Sequence, residues 1–289
     1  MVACGEFLYT AAMTELLTLA ATHSALLLTL ALAGMTAGLL AGLFGVGGGT
    51  ILVPVLFQVF LSGGYAADTA MHLAVATSLA TILPTGFSSA WAHHKKGAVN
   101  GSVLRQLAIP ISVGALLGAA SSGWFAGTLL TALFAGFASL IALLMLRGKK
   151  GFALVSQLPT GVGRLGLGGG IGALSALLGI GGGTITVPTL AACGYAMPVA
   201  VGTGAALGIA IALPGTLGFV LSGWGQTGLP PFSVGYINLL AVAVLAPLSV
   251  LCAPWGARLA HSLPELWLRR GFALFLLLVA GRMVYKVLA

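Results

Sequence analysis

Acidic residues are nearly missing from this chain: four Asp and Glu in 289 residues, with charged residues of all kinds at only 6%. Soluble domains carry about a quarter charged residues, so a water-soluble fold is excluded. None of the four carboxylates falls inside an apolar run, because Glu6 and Glu15 lie near the start while Asp68 and Glu265 sit at run ends. That excludes a relay of buried carboxylates of the proton-pump kind. Cysteine is just as sparse. Cys4, Cys193 and Cys252 stand at unrelated spacings, which gives neither a disulfide framework nor a metal-ligand pattern. No nucleophile–base pair stands out either, so neither an enzyme nor a cofactor is expected. The first residues show no basic segment followed by an apolar stretch, and no cleavable signal peptide is expected.

What the chain has instead is apolar length. Hydrophobic residues make up 59%, mean hydropathy is +1.11, and several apolar runs reach the length that spans a bilayer. The expectation is an all-α, polytopic membrane protein with the lipid bilayer as its solvent. The 44 glycines fit helices packed through small faces such as Gly34, Gly38 and Gly42. A formal charge of +8 could point to nucleic acid, but the Lys and Arg residues sit between apolar runs, where they set topology. No nucleic-acid partner is expected.

One phrase occurs twice. Gly45-Val46-Gly47-Gly48-Gly49-Thr50-Ile51, continuing to Val53-Pro54, returns as Gly179-Ile180-Gly181-Gly182-Gly183-Thr184-Ile185, continuing to Val187-Pro188. Aligned over residues 34–54 and 168–188, the two copies agree at 12 of 21 positions. This is an internal duplication.

The phrase breaks a helix, since glycine costs about 1 kcal/mol in a helix interior. The apolar stretches after it, residues 50–60 and 184–193, are helical lengths of roughly 15 Å, about half a bilayer core. Thr50 and Thr184 read as N-caps, with preceding glycine amides that have no partner inside the helix. Each copy is therefore expected to place the positive end of a half-helix near mid-membrane, where it attracts an anion. The competing reading is a purely structural kink.

Full spans are expected at about residues 68–91, 103–124 and 128–146 in the first copy. In the second they fall at about 199–221, 234–255 and 266–288. The chain divides into an N-terminal segment 1–23, repeat one 24–146, a cytoplasmic linker 147–163 and repeat two 164–289. With the loop at residues 93–96 in the cytoplasm, ten of the twelve Lys and Arg fall inside, as the positive-inside rule requires. Both termini then face the periplasm. A broken pair contributes an even number of crossings whether it spans twice or re-enters, so each repeat crosses an odd number of times. The second repeat then lies inverted relative to the first, with 8–10 membrane helices in all and a secondary transporter as the implied class.

The Gly-x-Gly-Gly-Gly-Thr-x-x-x-Pro phrase resembles the sulfite exporter TauE/SafE family. So do Ala76-Thr77-Ser78-Leu79, the stretch Ala92-His93-His94-Lys95-Lys96-Gly97-Ala98-Val99, and Ser222-Gly223-Trp224-Gly225 through Leu229-Pro230-Pro231. The resemblance covers nearly the whole chain from about residue 30. It implies a carrier in the bacterial inner membrane, exporting sulfite, sulfoacetate or another organosulfonate. One departure is Asn100-Gly101, where the family pattern suggests an acidic residue.

The candidate anion site comprises Gly47, Gly48, Gly49 and Thr50 with Gly181, Gly182, Gly183 and Thr184. Thr77, Ser78 and Thr203 are candidate hydroxyl donors, against the alternative of bonding back to the preceding helical turn. His72, an ionisable group inside a span, is a candidate for coupling or gating, as are His94 and Arg105. A gated anion channel, or a carrier of a non-sulfur organic anion, is the alternative function. Self-association into a homo-oligomer is left open.

Overall fold

Apolar runs punctuated by glycine and proline give ten helices in the computed structural model, which describes residues 27–43, 48–147, 158–259 and 265–288. Helix α1 is Leu27–Leu43. The others are α2 Gly49–Ser62, α3 Ala67–Lys95, α4 Gly101–Ala120, α5 Gly127–Arg147, α6 Gly161–Leu177, α7 Gly183–Ala192, α8 Met197–Ser222, α9 Leu239–Leu259 and α10 Glu265–Leu288. Five of them, α3, α4, α5, α8 and α9, are long and apolar enough to cross a membrane. α3 is the central one. It packs on α2, α5, α8 and α9, and 78% of its most apolar window is buried.

Small residues decide which helices touch and in which direction they run. A Cβ on Gly34 would lie 3.0 Å from the Leu245 carbonyl oxygen, and one on Gly38 would run into Ser249. The Ser249 hydroxyl donates to the Gly34 carbonyl at 2.8 Å. α1 therefore lies along α9 in the same direction. In the second half, Gly168 abuts Pro110, Gly172 abuts Ile111, and Gly118 abuts Ala173, so α6 lies along α4 in the same direction. The first helix of each half thus packs on the fourth helix of the other. α3 and α8 run antiparallel, with Gly215 beside Leu79 and Gly86 beside Ile209.

These contacts also fix which helix ends lie together. At the end carrying the basic loop, α8 begins: Gly202 abuts Ala98, and Thr203 meets Asn100. α6 begins there too, where Arg164 donates to Gln106 at 3.5 Å. At the opposite end, Ser122 and Ser222 share a hydroxyl–hydroxyl bond of 3.0 Å. The pair α6–α7 therefore leaves from and returns to the basic-loop end, and α1–α2 does the same from the other end. Each pair thus starts and finishes at one end of the bundle, as both a double crossing and a re-entrant pair would.

Several boundaries differ from the sequence expectation. The helix caps at the two breaks are Gly48 and Gly182, with no side-chain capping bond. Thr50 and Thr184 lie one residue inside their helices; at the first break the cap is Gly48, whose left-handed φ of 75° suits glycine better than threonine, while Gly182 at the second is already helical at φ −54°. The second span ends at Ala120 and passes into a 3-10 turn, Ser121–Trp124. The loop before α9 folds into a two-stranded hairpin, pairing Ser233 with Asn238 and Val234 with Ile237. Asn100 accounts for the missing acidic residue: its Oδ1 accepts the Ser102 and Val103 amides at 3.0 and 3.1 Å. Any short side-chain oxygen caps a helix in this way.

Candidate anion site at the two helix breaks

The two breaks meet. A Cβ on Gly49 would run into the carbonyl oxygen of Gly179 and lie 2.9 Å from the Ile180 Cα. Gly179, at φ +65°, is wedged in turn against Val53 and Val75, its would-be Cβ 2.9 Å from the Val75 Cα. Gly182 is pressed against Gly204 and Gly208 of α8. Each of these glycines lets one stretch of backbone lie directly on another. Gly47 lies outside the described residues; Gly48, Gly49, Thr50, Gly181, Gly182, Gly183 and Thr184 are all buried.

The start of α7 carries donors without acceptors. Thr186 N–H reaches the Gly182 carbonyl at 2.9 Å and Thr184 N–H reaches that of Gly181 at 3.4 Å. Among the described residues, the amides of Gly181, Gly182 and Gly183 make no main-chain hydrogen bond. The Thr184 hydroxyl, on a residue 5% exposed, also lacks a partner. Buried donors nearly always find an acceptor, and the helix dipole favours a negative one.

The three hydroxyls on α3 and α8 differ in what they have left to give. Ser78 donates to the Gly179 carbonyl at 2.9 Å. A hydroxyl has a single proton, so in this conformation Ser78 holds the second break in place and has none for an anion. Thr77 instead accepts the Asn238 amide at 3.1 Å, and Thr203 accepts the Asn100 amide at 2.9 Å. Their hydroxyl protons have no acceptor among the described residues, and both side chains are fully buried.

The remaining candidates lie elsewhere. Arg105 is exposed near the start of α4, and His94 is exposed at the end of α3, its ring 6.2 Å from that of Trp91. His72 is buried, at the end of the bundle opposite the basic loop. Asn100, noted in the sequence only as a departure from the family pattern, and Asn238, which was not singled out, precede α4 and α9. Their signal was present, since each is an asparagine directly ahead of an apolar run.

Long apolar helices around a few buried, unmatched donors are those of a multi-pass membrane protein. The chain belongs to the sulfite exporter TauE/SafE family, whose model matches residues 30–283. It is therefore a membrane transporter by family. A probable membrane transporter protein of Haemophilus influenzae is 35% identical over 255 residues, covering 88% of this chain and 97% of the relative. The probable membrane transporter protein YunE of Bacillus subtilis is 26% identical, covering 88% of this chain and 95% of its own length. YdhB of the same organism is 26% identical, covering 80% and 89%. No solved structure matches the chain.

Proposed function

We propose that the chain is a secondary transporter of a small sulfur-containing anion, such as sulfite, sulfoacetate or another organosulfonate, exported across the bacterial inner membrane by alternating access. The observation that carries this reading is the cluster of buried donors without acceptors at the start of α7, at the place where the two breaks touch. An anion in a membrane interior needs compensation. Among the described residues no Lys or Arg is buried, so amides, hydroxyls and helix ends are the sources left. In this reading Gly181, Gly182, Gly183 and Thr184 hold the anion, Thr77 and Thr203 add their free hydroxyl protons, and Ser78 positions the break. Gly48, Gly49 and Thr50 bring the first helix end to the same place. The opposed directions of α3 and α8, and the exchanged packing of α1 on α9 and α6 on α4, support two inverted repeats around that site.

A thermal-shift series on the purified protein tests it, with sulfite, sulfoacetate, taurine, sulfate, thiosulfate and acetate as ligands. A bound anion raises the melting temperature in proportion to the logarithm of its concentration over Kd. Stabilisation by a sulfur anion that disappears in Thr184→Val supports the reading. Stabilisation by acetate alone points to a carboxylate carrier, and none by any anion overturns the site.

A further inference from the structure

His72 presents a geometry that a neutral imidazole does not satisfy. Its Nδ1 lies 2.9 Å from the Asp68 carbonyl oxygen, and its Nε2 lies 3.0 Å from the Ser122 carbonyl oxygen. A carbonyl only accepts, and a neutral histidine ring has one N–H. In the neutral form one ring nitrogen would turn its lone pair toward a carbonyl lone pair, in a residue 2% exposed. The imidazolium donates at both nitrogens. Its counter-charge is at hand: the Asp68 carboxylate oxygen Oδ2 is 4.0 Å from Nδ1, while Oδ1 accepts the Gly127 amide. Tyr236 stacks on the ring at 4.9 Å.

These contacts join four pieces of chain at one end of the bundle. The ring, on α3, grips the 3-10 turn between α4 and α5 through Ser122. The Ser122 hydroxyl meets Ser222 at the end of α8, Asp68 holds the start of α5, and Tyr236 belongs to the hairpin before α9. Asp68 and Tyr236 are the titratable groups facing the ring among the described residues; the 3-10 turn, the start of α5 and the end of α8 bring none. Burial, with the Asp68 charge adding to it, pushes the Tyr236 hydroxyl up, so it stays neutral at physiological pH.

We propose that His72 is a proton-binding site that holds this end of the bundle closed: the ring binds a second proton when α3, the α4–α5 turn and the hairpin close around it, and that proton leaves when they part. By linkage, acidity on this side then favours the closed arrangement. The proposal does not rest on which anion is carried, nor on the site at the breaks.

The test needs no substrate. The full chain is labelled with 15N-histidine in nanodiscs, and the His72 resonances are assigned by their loss in His72→Gln. Both ring nitrogens should carry protons at pH 7. One unprotonated ring nitrogen in the parent at pH 7 overturns the proposal. If His72→Gln does not fold, a variant in which His23, His93, His94 and His261 are replaced by Gln leaves the His72 resonances alone in the spectrum. A second measurement uses Ser122→Cys in a cysteine-free background, a change that keeps the Ser122 carbonyl. Its labelling rate, normalised to the exposed Trp124→Cys, should be roughly fivefold or more slower at pH 6 than at pH 8 and independent of pH once His72→Gln is added. Equal normalised rates at both pH values in the parent overturn it as well.

Discussion

The hydroxyl oxygen of Thr203, early in α8, accepts the main-chain N–H of Asn100 at 2.9 Å across 103 residues of chain. Thr77 of α3 does the same for Asn238 at 3.1 Å. In each half, a threonine of the third helix holds the asparagine that begins the other half's fourth helix. The two halves are therefore tied together at both of these starts by bonds from a main-chain amide to a threonine hydroxyl.

Removing that oxygen leaves a buried amide without an acceptor. Thr203→Val and Thr77→Val should each lower stability by about 1–3 kcal/mol, seen as a lower melting temperature in detergent. Ser112→Ala is the comparison, because it removes a donor and leaves behind a main-chain carbonyl with a second lone pair to use. A Thr203→Val melting temperature equal to the parent's would mean that water replaces the bond.

Asn100 can be exchanged for the acidic residue that the family pattern suggests. Asn100→Asp keeps an oxygen for the Ser102 and Val103 amides and adds charge at a helix start, where it is favourable. Melting temperature should hold or rise slightly. Asn100→Ala should cost about 1 kcal/mol.

The glycines divide by what lies over them. Gly49→Ala drives a Cβ into the Gly179 carbonyl, and the expected result is loss of folded protein on size-exclusion chromatography. Gly136→Ala meets open space within α5 and should be neutral or mildly stabilising. Equal folding of the two variants would refute the contact between the breaks.

Thr184→Val keeps the shape of the side chain and removes a hydroxyl that has no protein partner. Folding should be unchanged, while anion binding weakens by about 1.5–3 kcal/mol, the scale of a hydrogen bond to a charge, or roughly ten- to a hundredfold in Kd. Ser175→Ala, which also removes a buried hydroxyl without a partner, should leave binding unchanged. Calorimetric titration with the best ligand from the thermal-shift series separates the two.

Cysteines placed one at a time at Lys96 and Trp224, in a cysteine-free background, report on orientation. An impermeant maleimide added to whole cells should label Trp224→Cys and spare Lys96→Cys. The reverse pattern would invert the topology.

Much of the architecture is written in the residue order. Apolar runs with charge confined to their ends leave a bilayer as the solvent, and the twice-used Gly-Gly-Gly-Thr phrase marks both helix breaks without any contact being known. What the order could not show is what each glycine and hydroxyl faces. Gly49 reads as part of a ligand cradle with a packing role as the alternative, and only the fold shows that it lies directly over Gly179. Thr77 and Ser78 are adjacent and chemically alike, yet the turn of α3 gives one an amide and the other a carbonyl. One hydroxyl proton is left free and the other is used. His72 reads as a lone ionisable residue in a span; its partners Ser122 and Tyr236, 50 and 164 positions along the chain, meet it only because α3, the α4–α5 turn and the hairpin before α9 finish at the same end. Local sequence carries helix propensity and its breaks, whereas partnership in a bundle depends on which faces of distant helices pack, and that is decided by the tertiary fold.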